Sequence, residues 1–158
     1  MAILERINRN IDNHYWNPGT GHFPVKNRYT AGVAGQRFFE ELKNKGTFYG
    51  TECSACQLTF VPARLYCERC FARLDKWVDV GTEGTVFSYT ISYQDKSGEP
   101  LAEPVILVAV QIADGLIIHR LEECRQEEVW IGMPVKAELK APAERQGGLT
   151  DLKYFKPL

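Results

Sequence analysis

Two CxxC pairs, Cys53-x-x-Cys56 and Cys67-x-x-Cys70, constrain this chain more than any other feature, and ten residues separate them. At this spacing two short knuckles bring four thiolates into a tetrahedral shell around one Zn²⁺, and a shell of that kind leaves no open position for a reacting molecule. We therefore predict one structural zinc ion held by these four cysteines. The ion stabilises the fold and takes no part in chemistry.

Other uses of four cysteines are two disulfides, a thioredoxin-type redox centre and an iron site of the rubredoxin type. The N-terminal sequence MAILERINRNIDNHYW has no basic region followed by an uninterrupted apolar run, which argues against export and predicts a cytoplasmic protein. A redox centre needs one CxxC pair in a βαβ context rather than two pairs. No stretch approaches the roughly 18 apolar residues of a membrane span. Zinc is the interpretation that these features favour.

Length and composition set the size of the fold and exclude some partners. A chain of 158 residues with 44% apolar content has enough material for a core, in one ordinary domain or two small ones. The formal net charge is −1, so the chain has no general electrostatic attraction to nucleic acid or to an anionic membrane. A polyanionic partner would need a local basic surface.

The first 35 residues read as an N-terminal extension. Apolar residues recur every three to four positions at Ile3, Leu4, Ile7, Ile11 and Tyr15. This spacing predicts an amphipathic helix, which the Asn-Pro-Gly sequence at 17–19 ends. The following TGHFPVKNRYTAGVAG is too rich in Gly, Pro and polar residues for regular structure. Aromatic residues, which disordered tails usually lack, occur at Tyr15, Trp16, Phe23 and Tyr29. We interpret residues 1–35 as a partner-binding segment; the alternative is a disordered tail.

Residues 36–80 predict a helix followed by a zinc ribbon. The helix, about Gln36 to Asn44, contains RFFEELKN and ends at Lys45-Gly46, since glycine commonly follows the last helical turn. Each CxxC pair after it is bracketed by short β-prone runs. Two hairpins of this size cannot bury a core of their own, so the metal must supply part of the folding free energy.

Residues 81–158 predict five short strands. Phe87, Tyr89, Ile91 and Tyr93 alternate with small polar residues, and we interpret their face as barrel core or as a ligand-facing surface. An Asp114-Gly115 turn between two apolar runs predicts a hairpin. Two further strands are expected over 134–140 and in DLKYFKPL at the C-terminus. Five antiparallel strands with this spacing favour a small OB-type barrel.

The combination of these motifs resembles the DUF35 family of proteins with a rubredoxin-like zinc ribbon and an OB fold. The resemblance covers residues 36–158 and rests on CSAC, on VPARLYCERC, on DKWVDVGTEGTVFSYT, on WIGMPVKAEL and on the final YFKP. It implies a mostly β fold and an accessory subunit of an acyl-CoA enzyme, chiefly a thiolase or a lipid-transfer-protein-like thiolase or aldolase. Within the family, the aromatic N-terminal extension is similar to that of zinc-finger subunits of thiolases in anaerobic toluene breakdown.

The sequence predicts no catalytic residue in this chain. His14, His22 and His119 have no partner pattern for acid–base chemistry, and a lone histidine in the strand LIIHRLEE is usually structural. Cys124 is the one cysteine outside the ribbon, and no general base for it is apparent. A helper that docks on a thiolase-like subunit and helps to bind acyl-CoA, within a hetero-oligomer, is therefore expected.

Two alternatives from other classes remain open. OB folds often bind single-stranded nucleic acid, and the aromatic face that contains Phe87 and Tyr89 offers rings for stacking bases. Lys and Arg do not outnumber Asp and Glu in residues 81–158, which argues against a groove that follows phosphates. An unspecific zinc-ribbon scaffold is the other alternative.

Overall fold

The computed structural model describes residues 30–95 and 97–158. The helix expected near residues 3–15 and the aromatic residues at positions 15, 16, 23 and 29 lie outside this range, so those predictions stay predictions. Within it the chain is mostly β. The elements are α1 (Gly32–Lys45), β1 (Phe48–Cys53), β2 (Leu58–Phe60), β3 (Lys76–Gly81), β4 (Glu83–Gln94), β5 (Pro100–Ile112), β6 (Gly115–Leu121), β7 (Pro134–Leu139) and β8 (Leu152–Pro157).

Helix α1 begins four residues earlier than the sequence predicted. The prediction of irregular structure for residues 32–35, as part of the Gly-, Pro- and polar-rich segment 20–35, is wrong. Ala34 is buried with Phe38 and Leu42 along one side of the helix, and this packing outweighs the low helix propensity of glycine. The predicted end is confirmed, because Gly46 adopts a left-handed conformation with φ 71° and its N–H donates to the Leu42 carbonyl.

The zinc-ribbon segment forms a three-stranded antiparallel sheet in the order β2-β1-β3. Strand β3 ends at Gly81, and β4 of the barrel begins two residues later at Glu83. The side chain of Thr51 on the central strand is fully buried, donates to the carbonyl of Arg64 and accepts from its N–H, each at 2.9 Å. This clamp holds the loop before the second CxxC pair against the sheet.

The five remaining strands form the predicted closed barrel, in the order β4-β5-β6-β8-β7. Alternate residues along β5, including Val108 and Val110, are fully buried inside it. The helix and the barrel share one apolar cluster, because Phe38, Phe48 and Val61 belong to the same buried group as the barrel interior. Phe38 stacks on Phe48 with ring centroids 6.0 Å apart. Ribbon, helix and barrel are therefore joined by one core.

The predicted β5–β6 hairpin is present, but its turn lies one residue earlier than Asp114-Gly115. Ile112 pairs with Gly115, so Ala113 and Asp114 are the turn residues, and Ala113 has φ 50°. Glycine at position 115 has a different purpose. A Cβ atom there would lie 1.9 Å from the carbonyl oxygen of Val61, so only glycine allows the hairpin to approach the ribbon this closely.

The aromatic face of β4 is not barrel core. A bulge between Val86 and Ser88 changes the alternation, and Val86 is the residue that is buried. Phe87, Tyr89 and Tyr93 are 55%, 38% and 58% exposed. Beyond the bulge β4 pairs only with β5 among the described strands, and from Ser92 onwards its β5 partners no longer pair with β6, so this last part of the strand extends past the barrel. The core interpretation is therefore wrong for these three aromatic residues.

Candidate metal centre

The four predicted cysteines come together at one point of the ribbon. Their Sγ atoms all lie within 4.8 Å of one another, and those of Cys53 and Cys70 are 3.5 Å apart. Four thiolates around zinc at about 2.3 Å from the metal are separated by a little under 4 Å, so this arrangement fits a tetrahedral Zn²⁺ site. With four sulfur ligands, such a site has no open position for a substrate.

The first knuckle is the turn between β1 and β2. Cys53 is the last residue of β1, and Leu58 is the first of β2. The N–H of Gln57 donates to the carbonyl of Cys53 at 2.7 Å, and Gln57 adopts φ 57°. This left-handed residue reverses the chain so that the thiols of Cys53 and Cys56 point to the same side.

The second knuckle repeats this geometry. The N–H of Phe71 donates to the carbonyl of Cys67 at 2.9 Å, and Phe71 adopts φ 59°. A bridge between Tyr66 and Arg73 closes the small hairpin around it. Sequence reasoning missed both left-handed residues because neither is Gly, Asn or Asp. Their position is the sequence signal that could have identified them, because each directly follows the second cysteine of its pair.

The four thiols differ in exposure and in proton affinity. Cys53 and Cys67 are buried, Cys56 is half-buried and Cys70 is exposed. The neighbouring thiol of Cys70 is the main cause that raises the pKa of Cys56 to about 12. Burial opposes ionisation of Cys67, but hydrogen bonds from the backbone N–H groups of Cys70 and Arg69, together with those from the neighbouring thiols, lower that pKa to about 7. Because thiolates are the ligands, metal binding must displace protons here.

A small apolar cluster supports the metal centre. Phe60 and Leu74 are buried with Cys53 and Cys67, and this group is separate from the main core. Two large side chains cannot hold a ribbon of this size against its conformational entropy. The four thiols thus occupy the position where a metal would contribute most to stability.

Among the described residues, the other candidates lie away from this centre. The S–H of Cys124 donates to the carbonyl of Arg125 at 3.4 Å, and burial raises the pKa of this thiol, which disfavours a thiolate nucleophile. His119 on β6 is half-buried, and burial lowers its pKa below the usual value near 6.5. His14 and His22 lie outside the described range. No described helix is both long and apolar enough to cross a membrane.

Comparison with protein families matches two consecutive parts of the chain. Residues 41–75 match the model described as the rubredoxin-like zinc ribbon domain of ChsH2. Residues 77–140 match the model described as the C-terminal OB-fold domain of ChsH2. The boundary between the matched parts falls at Lys76, the first residue of β3.

Similar proteins cover most of the chain. A DUF35-family protein of unknown function from Sulfolobus solfataricus is 32% identical with a TM-score of 0.62, over 80% of this chain and 87% of that one. A DUF35 domain-containing scaffold protein from Methanocaldococcus jannaschii is 23% identical over 126 residues, 77% of this chain and 89% of that protein. The Ltp2-ChsH2(DUF35) aldolase shares the fold at a TM-score of 0.54 and 20% identity, over 77% and 93% of the two chains.

Proposed function

Because this chain belongs to the DUF35 family of zinc-ribbon and OB-fold proteins, we propose that it is a non-catalytic accessory subunit of a thiolase-type enzyme. In this proposal it docks on the catalytic subunit in the cytoplasm and helps to form the acyl-CoA site, while the partner supplies the reacting groups. Two relatives support this role: one is a scaffold protein, and the other is part of an aldolase assembly named for both Ltp2 and ChsH2.

The observation that carries the proposal is the exposed aromatic surface of β4. From Thr85 to Gln94 the strand carries no charged side chain, and Phe87, Tyr89 and Tyr93 are exposed on it. Aromatic enrichment with few charges is typical of the centre of a protein interface. A binding surface for another protein accounts for side chains that do not contribute to the barrel core.

The free edges of β4 and β5 differ in how well they are protected against pairing with a strand of another protein. Beyond the barrel, β5 carries Pro100, Glu103 and Pro104, and prolines and charges are common means of preventing strand addition at an edge. The β4 edge past Val86 has neither a proline nor a charge up to Gln94, and no described strand pairs with it there. The partner is therefore expected at the β4 edge.

The turn before β7 extends this surface. Val86 exchanges backbone hydrogen bonds with Gly132 and Met133, which places the preceding turn beside the β4 bulge. Trp130 and Ile131 in that turn are 55% and 66% exposed. In the proposal these residues and the β4 aromatics make one contact, to which the N-terminal extension 1–35 adds its own aromatic residues.

Zinc has a structural role in this proposal. Cys53, Cys56, Cys67 and Cys70 are the four ligands, and the ion fixes the ribbon against the barrel without touching substrate. The catalytic nucleophile and base belong to the partner.

The finer part of the proposal concerns the substrate. The aromatic N-terminal extension resembles that of the zinc-finger subunit of benzylsuccinyl-CoA thiolase. On that basis we propose cleavage of (S)-2-benzoylsuccinyl-CoA, in anaerobic toluene degradation, as the reaction of the complex.

The experiment is co-purification of the untagged native protein. A thiolase-type chain in stoichiometric amount supports the proposal, and recovery of the chain without any such partner contradicts it. The surface is tested by changing Phe87 and Tyr93 to Ala together, which should weaken assembly at least tenfold because aromatic anchors dominate interfaces. Leu149→Ala is the matched control, since Leu149 is 58% exposed but lies away from β4. If Leu149→Ala weakens binding of the partner as much as the double variant does, the β4 surface is not the docking site.

A further inference from the structure

The barrel closes between β6 and β8 at one point only, and the wall beside that point is open. These parallel strands share a single register pair, Leu121 with Phe155, and the next backbone bond runs from the Glu122 N–H to the Phe155 carbonyl. Every other neighbouring pair of barrel strands is joined through at least three register pairs. A cleft of about 580 Å³ lies at this opening. That volume is within the range of sites for small molecules, roughly 300–1,000 Å³.

The cleft combines apolar walls with positive charge. Leu107, Ile118 and Leu152 line it, and the cations of Arg120, Lys140 and Lys153 also border it. Glu122 is its one carboxylate, so the lining carries two net positive charges in a chain whose formal net charge is −1. An anion with an apolar body is the ligand that such a lining favours.

Two of these cations form no close ion pair among the described residues. Arg120 lies 3.6 Å from Glu122. For Lys140 and Lys153, no carboxylate within 4.0 Å is present in the described ranges, although Lys153 contacts the ring of Tyr154 at 5.6 Å. Lysine is a frequent ligand of phosphate groups, and a phosphate monoester with two negative charges would balance the lining.

His119 is a further residue of this lining. It also lines the cleft and pairs across the sheet with the inward-facing Val108. Its Nδ1 atom is buried and has no hydrogen-bond partner among the described residues. His119 lines the cleft, so a ligand bound there would lie against its ring.

We propose that the β6–β8 cleft binds a nucleotide through a phosphate monoester, with Lys140 and Lys153 on the phosphate and the apolar wall against the base. This assignment rests on the proposed function: the nucleotide is the 3′-phosphorylated adenosine end of coenzyme A. A free adenine nucleotide carries the same chemistry and is the other source.

The test is calorimetric titration of the full zinc-loaded chain with adenosine 3′,5′-bisphosphate. We expect saturable binding that weakens at least tenfold when Lys140 and Lys153 are both changed to Gln. Lys136→Gln removes one lysine charge from β7 outside the cleft and should leave the affinity unchanged, whereas Lys140→Gln or Lys153→Gln alone should weaken it. The NMR ring signal of His119 should shift during the titration. No saturable binding, or equal losses in the cleft and control variants, overturns the proposal.

Further ligands separate the sources. Coenzyme A differs from dephospho-coenzyme A only in its 3′-phosphate, so binding at least tenfold tighter than that of dephospho-coenzyme A, and tighter than that of adenosine monophosphate, supports the coenzyme as source. Adenosine monophosphate that binds as tightly as coenzyme A assigns the cleft to a free adenine nucleotide instead. Equal affinities for all three overturn that assignment. An oligonucleotide that binds far more tightly than any mononucleotide overturns it in favour of single-stranded nucleic acid. Since no partner enzyme is present, this result is independent of whether the chain assembles with a thiolase.

Discussion

Replacing Gly115 with Ala tests how the barrel is joined to the ribbon. The added Cβ would lie 1.9 Å from the carbonyl oxygen of Val61 and 2.6 Å from its nitrogen. Both are backbone atoms of a residue that is 3% exposed, so no flexible side chain can move aside. The hairpin turn must move away from the ribbon by about 1 Å to relieve the overlap.

This movement would also break two hydrogen bonds between the modules. The N–H of Asp114 donates to the Thr59 carbonyl at 3.1 Å, and the N–H of Thr59 donates to the Asp114 carboxylate at 2.8 Å. Such bonds contribute about 0.5–1.5 kcal/mol each, and overpacking costs about 1–3 kcal/mol. We therefore expect Gly115→Ala to lower the free energy of unfolding by about 3–5 kcal/mol, a large part of the stability of an ordinary domain.

Urea unfolding followed by tryptophan fluorescence measures the effect. Leu116→Ala is the matched control, because Leu116 is 44% exposed on the same hairpin and should change stability by no more than about 0.5 kcal/mol. If Gly115→Ala costs less than about 1 kcal/mol, or no more than the control, then the hairpin is not held against the ribbon as described and the reasoning fails.

Four further outcomes are expected. Cys67→Ser should lose zinc and unfold the ribbon whereas Cys124→Ser keeps about one equivalent, as elemental analysis would show. Zinc affinity, measured by competition with a chelator, should fall as the pH is lowered because the ligating thiols must lose protons. Burial lowers the pKa of His119 in the folded state. The contribution of this residue to stability is therefore complete above the unfolded pKa near 6.5 and is lost as the pH falls through the folded pKa. In the His119→Gln variant, the free energy of unfolding should fall less steeply as the pH is lowered below about 6.5. The purified chain alone should show no thiolase activity, and turnover that Cys124→Ser abolishes would contradict the proposed role.

The sequence predicted the elements whose signals are local. Two CxxC pairs located the ribbon, and the helix end at Gly46 followed from the conformational freedom of glycine. Alternation located β4 and β7, and the apolar runs around Asp114-Gly115 located β5 and β6. Each of these depends on residues within a few positions of one another.

Features that depend on distant residues were missed. The bulge at Phe87 moved the β4 aromatics out of the core, and no pattern within the strand indicates it. Gly115 looked like a turn residue because its close contact, Val61, lies far away in the sequence. The β6–β8 cleft was likewise invisible, since it arises from the incomplete pairing of strands that are not consecutive.

The shared core has a consequence for metal exchange. Phe48 and Val61 of the ribbon segment are buried in the same cluster as Val108 and Phe155 of the barrel. A ligand that binds only the folded state stabilises everything that unfolds with its site. Free zinc concentration should therefore set the melting temperature of the barrel as well as that of the ribbon, and hydrogen exchange deep in β5 should slow as zinc is added.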